Sequence, residues 1–347
     1  MQTTHKLINA NANNLYMIPD KSVHLIVTSP PYPMVEMWDD MFKIQNPFVS
    51  KAFETKEYNK VFVEMHKVLD NVWKECDRVL IDGGFACINI GDATRTFDDK
   101  FQLFSNHTHI INTFSQMGYS VLPDIHWRKQ TNAPNKFMGS GMYPAGAYIT
   151  YEHEYILIFR KGGKRQFSNE EKKIRQQSAY FWEERNEWFS DLWEIKGTKQ
   201  LIKTPIDRNR NASYPFEIPY RLINMYSIYG DTILDPFSGL GTTSLSAIAT
   251  GRNSINIEIS KDIINLAINR LSDKKIILEL NNLINARINN HNMFILSLSE
   301  DKKDKCYKNV NHQFLVKTKQ EILLQLYNIE KIQKENNQIK IYLNCIK

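Results

Sequence analysis

Cysteine is scarce in this chain. Four occur in 347 residues (Cys76, Cys87, Cys306, Cys345), scattered, with no CxxC pair and no Cys/His cluster. That excludes a disulfide scaffold, disfavours a structural zinc site and makes a reducing, cytoplasmic compartment the expectation. No apolar run approaches the roughly 18–20 residues of a membrane-crossing helix, so no membrane partner is expected. The opening MQTTHKLINANANN has no basic stretch followed by an apolar one, so no secretory signal is expected. Internal repeats are absent. With 42% hydrophobic and 24% charged residues the balance is globular and excludes wholesale disorder. The length suits one large domain with an insertion, or two domains.

Net charge is +6, and it is unevenly placed. Residues 160–210 hold 13 Lys/Arg against 8 Asp/Glu, and residues 271–347 hold the same. The remainder is slightly acidic. Two basic segments on an acidic body point to an anionic partner that meets only part of the surface, although a solvated face and a biased tail would read the same.

Short β-branched runs alternate with helical spacing. Val23–Val27 reads as a buried strand between Pro19-Asp20 and Ser29-Pro30-Pro31. Val61–Leu80 reads as a helix stopped by Gly83-Gly84, and Phe85–Ile90 as the next strand. Tyr119–Trp127, broken by Pro123, and Glu154–Phe159 are strand-like. Ile218–Tyr229, Thr242–Thr250 and Ile263–Leu271 read as helices; Thr232–Leu234 and Ser254–Ile257 read as strands. This alternation predicts an α/β fold with a largely parallel sheet, complete by about residue 270. Thr131–Thr150 reads as a long functional loop. Residues 272–347, rich in Lys, Asn and Ile, are left as an extension that could be helical.

Two motifs carry chemistry. In Asp235-Pro236-Phe237-Ser238-Gly239-Leu240-Gly241-Thr242-Thr243 a strand ends, a glycine turn follows and a helix begins. Glycines let a ligand approach the backbone, and the helix start offers free N–H groups. Glu258 closes the next strand, where an acid can accept both ribose hydroxyls. The loop is too short for a full GxGxxG and no GK[ST] follows, so a nucleoside cofactor without pyrophosphate fits better than NAD. The second motif is Thr28-Ser29-Pro30-Pro31-Tyr32 at a strand end. Two prolines stiffen the backbone. Ser29 Oγ and the Pro30 carbonyl suit the two hydrogens of an exocyclic amine, and Tyr32 suits a base plane.

Together the motifs resemble those of the β-class S-adenosylmethionine-dependent DNA amino-methyltransferases of restriction–modification type, with the catalytic motif first and the cofactor motif last. The resemblance covers roughly residues 5–270. It implies a Rossmann-like methyltransferase sheet, mostly parallel with one reversed strand, in circularly permuted motif order, with a target-recognition insertion. It implies S-adenosylmethionine as cofactor, double-stranded DNA as substrate, and functional pairing with a cognate restriction endonuclease, as a monomer or a dimer. By the same resemblance Ser29, Pro30, Pro31 and Tyr32 are catalytic. Asn11, Thr28, Pro215, Phe216, Asp235, Pro236, Phe237, Ser238, Gly239, Gly241, Thr242 and Glu258 hold the cofactor. Asn9-Ala10-Asn11-Ala12 stands where the family often has Gly-Asp, so Asn11 would serve through its amide; Tyr214 stands where the family often has His before Pro215.

The implied organisation is a catalytic half at 1–160, a target-recognition region at 161–210, a cofactor half at 211–271 and the extension at 272–347. Lys129, Lys136, Arg165, Lys172, Lys173 and Arg175 are the candidate DNA contacts. Trp182, Trp188 and Trp193 read as a small local core, and His107, His109 and His153 as structural. In this family Ser-Pro-Pro-Tyr goes mostly with cytosine N4 and Asp-Pro-Pro-Tyr with adenine N6, so N4 is expected, with N6 as the alternative. A non-catalytic nucleic-acid-binding subunit and an RNA or protein methyltransferase are the readings of another class. Neither Cys76 nor Cys87 stands in a Pro-Cys context, which disfavours covalent C5-cytosine chemistry.

Overall fold

The computed structural model describes residues 1–129, 138–139, 143–196 and 214–346. Ten strands of one sheet organise it: β1 (Gln2–Asn9), β2 (Val23–Thr28), β3 (Leu80–Ile90), β4 (Ser120–Arg128), β5 (His153–Arg160), β6 (Leu192–Trp193), β7 (Thr232–Asp235), β8 (Asn253–Glu258), β9 (Tyr327–Glu335) and β10 (Gln338–Cys345). Their order is β6-β4-β5-β3-β2-β7-β8-β1-β10-β9. The central run β3-β2-β7-β8-β1 is parallel throughout. β5 runs against both β3 and β4. The result is an α/β fold with a largely parallel sheet in which two non-edge strands are reversed, β5 and, against β1, β10.

The central sheet is buried on both faces, so β2 and β3 carry near-continuous apolar runs rather than alternating ones. Ile26, Ala86 and Ile88 pack against α1 (Tyr58–Val79) and α2 (Asn106–Gln116) through Val61, Met65, Leu69, Trp73, Ile110 and Phe114. Leu25, Val27 and Cys87 face the other way, against α3 (Glu217–Tyr226) and α4 (Thr242–Ala249) through Ile218, Leu222 and Ala247. The chain leaves β2 toward β3 on one side, and leaves β7 toward β8 on the other. β2 and β7 are neighbours, so their carboxyl ends flank a point where the connections diverge and a crevice opens.

Two strands begin or bend where the sequence is awkward. The glycine pair does not stop a helix: α1 already ends at Val79, and β3 starts at Leu80 and runs through Gly83-Gly84. The β2–β3 register slips at this point, between Val23 and Leu25. A Cβ on Gly83 would lie 2.4 Å from the Arg165 backbone, and its φ is +79°, so glycine is required. Pro123 sits in the register shift of β4 between Leu122 and Ile125, where a missing N–H costs no ladder bond.

The expectation that the sheet ends by about residue 270 is corrected. β9 and β10 form an antiparallel hairpin that extends it, with β10 paired to β1. Ile329, Ile339, Ile341 and Leu343 share a core with Leu7, Leu245, Ile248 and Ile268, and a long helix, α5 (Lys275–Ser297), adds Ile276 and Leu280. The hairpin covers β1, which would otherwise be an open sheet edge. Most of the loop expected at 131–150 lies outside the described residues; within it, Met138–Gly139 pairs with Ala147–Tyr148.

Candidate functional site

A cavity of about 370 Å³ opens at the crevice between β2 and β7. The two motifs line it together: Ser29, Pro30, Pro31 and Tyr32 on one side, Asp235 through Gly239, Thr242 and Glu258 on the other. Trp38, Asn89, Trp127, Lys129, Glu154 and Tyr214 complete the polar and aromatic wall.

Asp235 ties the halves. It is buried and accepts from Thr28 Oγ1 at 2.6 Å, Thr243 Oγ1 at 2.5 Å and the Phe237 amide at 3.1 Å. Burial pushes its pKa up to about 6, although these three donors pull it down. The Tyr214 hydroxyl bonds Thr243 and lies 3.5 Å from Asp235 Oδ2, so Tyr214 joins the same cluster. Thr28 is thus behind the cavity wall, holding Asp235.

The two glycines of the cofactor motif differ. Gly239 has φ +49° and nothing within 4 Å of the position a Cβ would take. Gly241, at the start of α4 with φ +78°, would push a Cβ to 3.1 Å from Leu271. The first faces the cavity; the second permits close helix packing. Glu258 accepts from the Gly239 amide at 3.1 Å and from the Ser260 amide at 2.8 Å, so the acid also shapes the loop. Beside it Phe237, Leu240, Ile257, Ile259, Ile263 and Leu266 form an apolar patch. A carboxylate for a diol, an apolar slot for a flat ring and a bare glycine backbone together fit a nucleoside cofactor.

Five expected cofactor residues stand outside the lining: Thr28 and Gly241, placed above, and Asn11, Pro215 and Phe216. Asn11 bonds Gln45 through Nδ2 at 3.2 Å and accepts from the Asn13 amide at 3.1 Å. The Pro215 and Phe216 carbonyls accept from the Ile218 amide and Ser246 Oγ, which fixes the start of α3 against α4 and leaves Tyr214 as that segment's cavity residue.

On the opposite wall the Tyr32 hydroxyl donates to Glu154 Oε2 at 2.8 Å and lies 3.1 Å from Ser29 Oγ. Asn89 Nδ2 reaches Glu154 Oε2 at 2.7 Å, Tyr32 Oη at 2.8 Å and Ser29 Oγ at 3.3 Å. Lys129 Nζ bonds Glu154 Oε1 and lies 4.6 Å from the centre of the Trp127 ring. Asn89, inside an apolar strand run, and Glu154, at the start of one, carry no motif that singles them out in the sequence. A polar residue interrupting a doubly buried strand is the signal that could have found them.

Comparison with known proteins agrees with this geometry. A family model described as DNA methylase, of the N6/N4 methyltransferases, matches residues 23–269. A type II methyltransferase of Methanothermobacter thermautotrophicus, M.MthZI, is 48% identical over 99% of this chain and 96% of its own length. M.MjaI of Methanocaldococcus jannaschii is 50% identical over 75% of this chain and 89% of its own. The chain belongs to the N6/N4 DNA methylase family. Among solved structures, a putative DNA modification methylase of Thermus thermophilus in complex with S-adenosyl-L-methionine is 31% identical, with TM-score 0.60, over 77% of this chain and 93% of its own. The methylase uses S-adenosylmethionine as cofactor and DNA as substrate, and the cavity fits that nucleoside.

The expected DNA contacts of the methylase separate into groups. Lys129 lines the cavity. Lys136 lies outside the described residues. Arg165 is a correction: it is not available to phosphate. Its guanidinium bonds Asp231 at 2.7 Å and Glu171 at 2.9 Å, and it sits with His24 and Gly83 near the amino ends of β2 and β3, away from the cavity. Lys172, Lys173 and Arg175 are exposed on the adjacent helix, Asn169–Gln177. Just beyond that helix, Ser178 accepts from the Tyr229 amide ahead of β7, so its far end also stands at the amino ends of the strands. Trp188 and Trp193 are buried, with Trp193 Nε1 bonding the Trp188 carbonyl, whereas Trp182 is partly exposed and stacks on Phe294. His107 bonds Asp92, His109 stacks on His66, and no metal-ligand cluster occurs among the described residues. No described helix is long and apolar enough to cross a membrane.

Proposed function

We propose that this methylase transfers a methyl group to the exocyclic N4 of cytosine in double-stranded DNA, as the modification enzyme of a restriction–modification system. The observation that carries the reading is Ser29: a neutral hydroxyl, not a carboxylate, holds the first position of the catalytic motif on the cavity wall beside Tyr32. Gly239, Glu258 and the apolar patch beside Phe237 would hold S-adenosylmethionine, which supplies an activated methyl group when bound.

The remaining work falls to this chain's own groups. The exocyclic nitrogen is a poor nucleophile because its lone pair is delocalised into the ring. Hydrogen bonds from the amine to Ser29 Oγ and the Pro30 carbonyl localise that pair and hold it in line for attack, and the methylated nitrogen then releases one of its hydrogens as a proton to solvent. The target base leaves the duplex to enter the cavity, and Tyr32 and the other aromatic wall residues give it a surface. No nucleophilic side chain is needed, and burial pushes the thiols of Cys76 and Cys87 up, away from thiolate. The intact motifs around one cavity favour an active enzyme over a non-catalytic subunit.

Mass spectrometry of hydrolysed DNA after methylation tests the assignment. N4-methylcytosine is expected. N6-methyladenine alone would overturn the target, and 5-methylcytosine would overturn the mechanism.

A further inference from the structure

The reversed strand brings a residue to the cavity that a parallel strand would have placed at the far end. Because β5 runs against β3, its start rather than its finish opens on the crevice. Glu154, the second residue of β5, therefore stands near Asn89, at the end of β3, and Ser29, just past the end of β2. It is 8% exposed, and its two oxygens serve three donors: Tyr32, Asn89 and Lys129.

A carboxylate ion-paired with Lys129 has no hydrogen to give. The Tyr32 hydroxyl must therefore spend its one hydrogen on Glu154. At the 3.1 Å contact between Ser29 and Tyr32, geometry alone allows either oxygen to donate. With the tyrosine hydrogen already committed, Ser29 is the donor. Asn89 Nδ2 donates to Glu154 and Tyr32 and lies 3.3 Å from Ser29 Oγ; an amide nitrogen only donates, so it offers the serine hydrogen no other acceptor. The Ser29 hydrogen thus points inward along the chain, and beside the 3.3 Å contact from Asn89 Nδ2 a lone pair of Ser29 Oγ remains for a partner in the cavity.

We propose that Glu154 is a positioning residue for methyl transfer: its carboxylate sets the direction of the chain Ser29 to Tyr32 to Glu154 and so makes Ser29 Oγ an acceptor committed to the hydrogens of the target amine. The inference rests on the amine-methylation reading above. Without the carboxylate, the Ser29 hydroxyl is free to turn its hydrogen into the cavity. There it would oppose the amine hydrogens, or bond the nitrogen lone pair that must attack.

A double-mutant cycle on the full chain tests this, with single-turnover methylation of DNA as the readout, calorimetry for cofactor affinity and a thermal melt for folding. Glu154→Gln and Tyr32→Phe should each slow transfer by about tenfold, with cofactor affinity within about twofold of the parent. In a Ser29→Ala background, where no serine hydrogen remains to orient, each should cost less than about twofold. Equal losses in both backgrounds would overturn the proposal, as would a loss confined to cofactor affinity. If Glu154→Gln fails to fold, Tyr32→Phe decides by the same cycle, since it deletes a single oxygen. A parent enzyme that methylates no DNA amine would overturn the proposed function and this inference with it; an active parent with an additive cycle overturns the inference alone.

Discussion

Thr28 Oγ1 donates a 2.6 Å hydrogen bond to Asp235 Oδ1 and thereby joins two motifs that lie 207 residues apart. The bond exists because β2 and β7 pair in parallel, Leu25 beside Ile233 and Ile26 beside Leu234, so that both strands end at the same level. It converts two loops, one for the base and one for the cofactor, into a single wall.

The same buried carboxyl gives a pH dependence with a definite sign. The ordinary value for Asp235 is 3.8 and burial raises it to about 6, so the folded state holds the proton more tightly than the unfolded chain. Its contribution to stability therefore falls as pH rises between about 4 and 6, and stays low above that window. Asp235→Asn abolishes this titration. Relative to that variant, the parent should lose on the order of 2–3 kcal/mol of unfolding free energy across the window, as read from denaturant unfolding at a series of pH values. Parallel pH profiles for the two proteins would contradict the burial argument.

Cofactor affinity should separate the two glycines from each other. Gly239→Val fills cavity space and should abolish S-adenosylmethionine binding; no protein atom lies near the new Cβ, so its folding cost is the strain of a side chain at φ +49° alone, and a thermal melt separates that from the loss of binding. Gly241→Ala meets Leu271 and a left-handed backbone, so its cost should appear first in the melting temperature. Glu258→Ala loses charge-assisted bonds worth about 1.5–3 kcal/mol, a weakening of roughly 10- to 150-fold by calorimetry. Part of that loss will come from the Gly239 loop, whose amide Glu258 holds.

How far the sequence could be read follows from where polar side chains point. β2, β7 and β8 were legible because both faces of the sheet are covered and each carries a short run of Val, Ile or Leu, broken in β8 by Ser254 and Asn256. β1 was not, because its inward residues include Thr3 and His5 as well as Leu7, bonded to one another and to Ser254. Burial lowers His5 to about 3, so it stays neutral and behaves as a core residue that no hydropathy pattern reveals. The hairpin of β9 and β10 was masked by Lys and Asn on its exposed positions. The motifs were legible because short-range spacing specifies them. Asn89 and Glu154 were not, because only the pairing of β3 with the reversed β5 brings them together.

The hairpin leads to a stability prediction opposite to the one expected from a sheet that ends near residue 270. Deleting residues 276–347 uncovers Leu7, Ile248 and Ile268 and reopens the β1 edge, so the truncated chain should aggregate or lose its cooperative melt. Ile341→Ala, a buried position on β10, should cost about 2–5 kcal/mol in urea unfolding. A truncated chain that melts cooperatively and binds cofactor would show that the hairpin is dispensable.

DNA affinity should be insensitive to the basic helix Asn169–Gln177. Arg165 is spent on Asp231 and Glu171, and the helix stands at the amino ends of the strands while the cavity opens at their carboxyl ends. Each phosphate contact contributes a slope of about −0.9 to the dependence of log affinity on log salt for duplex DNA. Replacing Lys172, Lys173 and Arg175 together by Gln should therefore leave both the affinity and the salt slope of the parent unchanged in fluorescence anisotropy. Arg165→Gln should lower the melting temperature instead, because it leaves Asp231, a buried acid, without its 2.7 Å ion pair. A triple variant whose slope drops by two to three would place these cations on the DNA. The duplex would then have to reach around the sheet from the cavity to its opposite end.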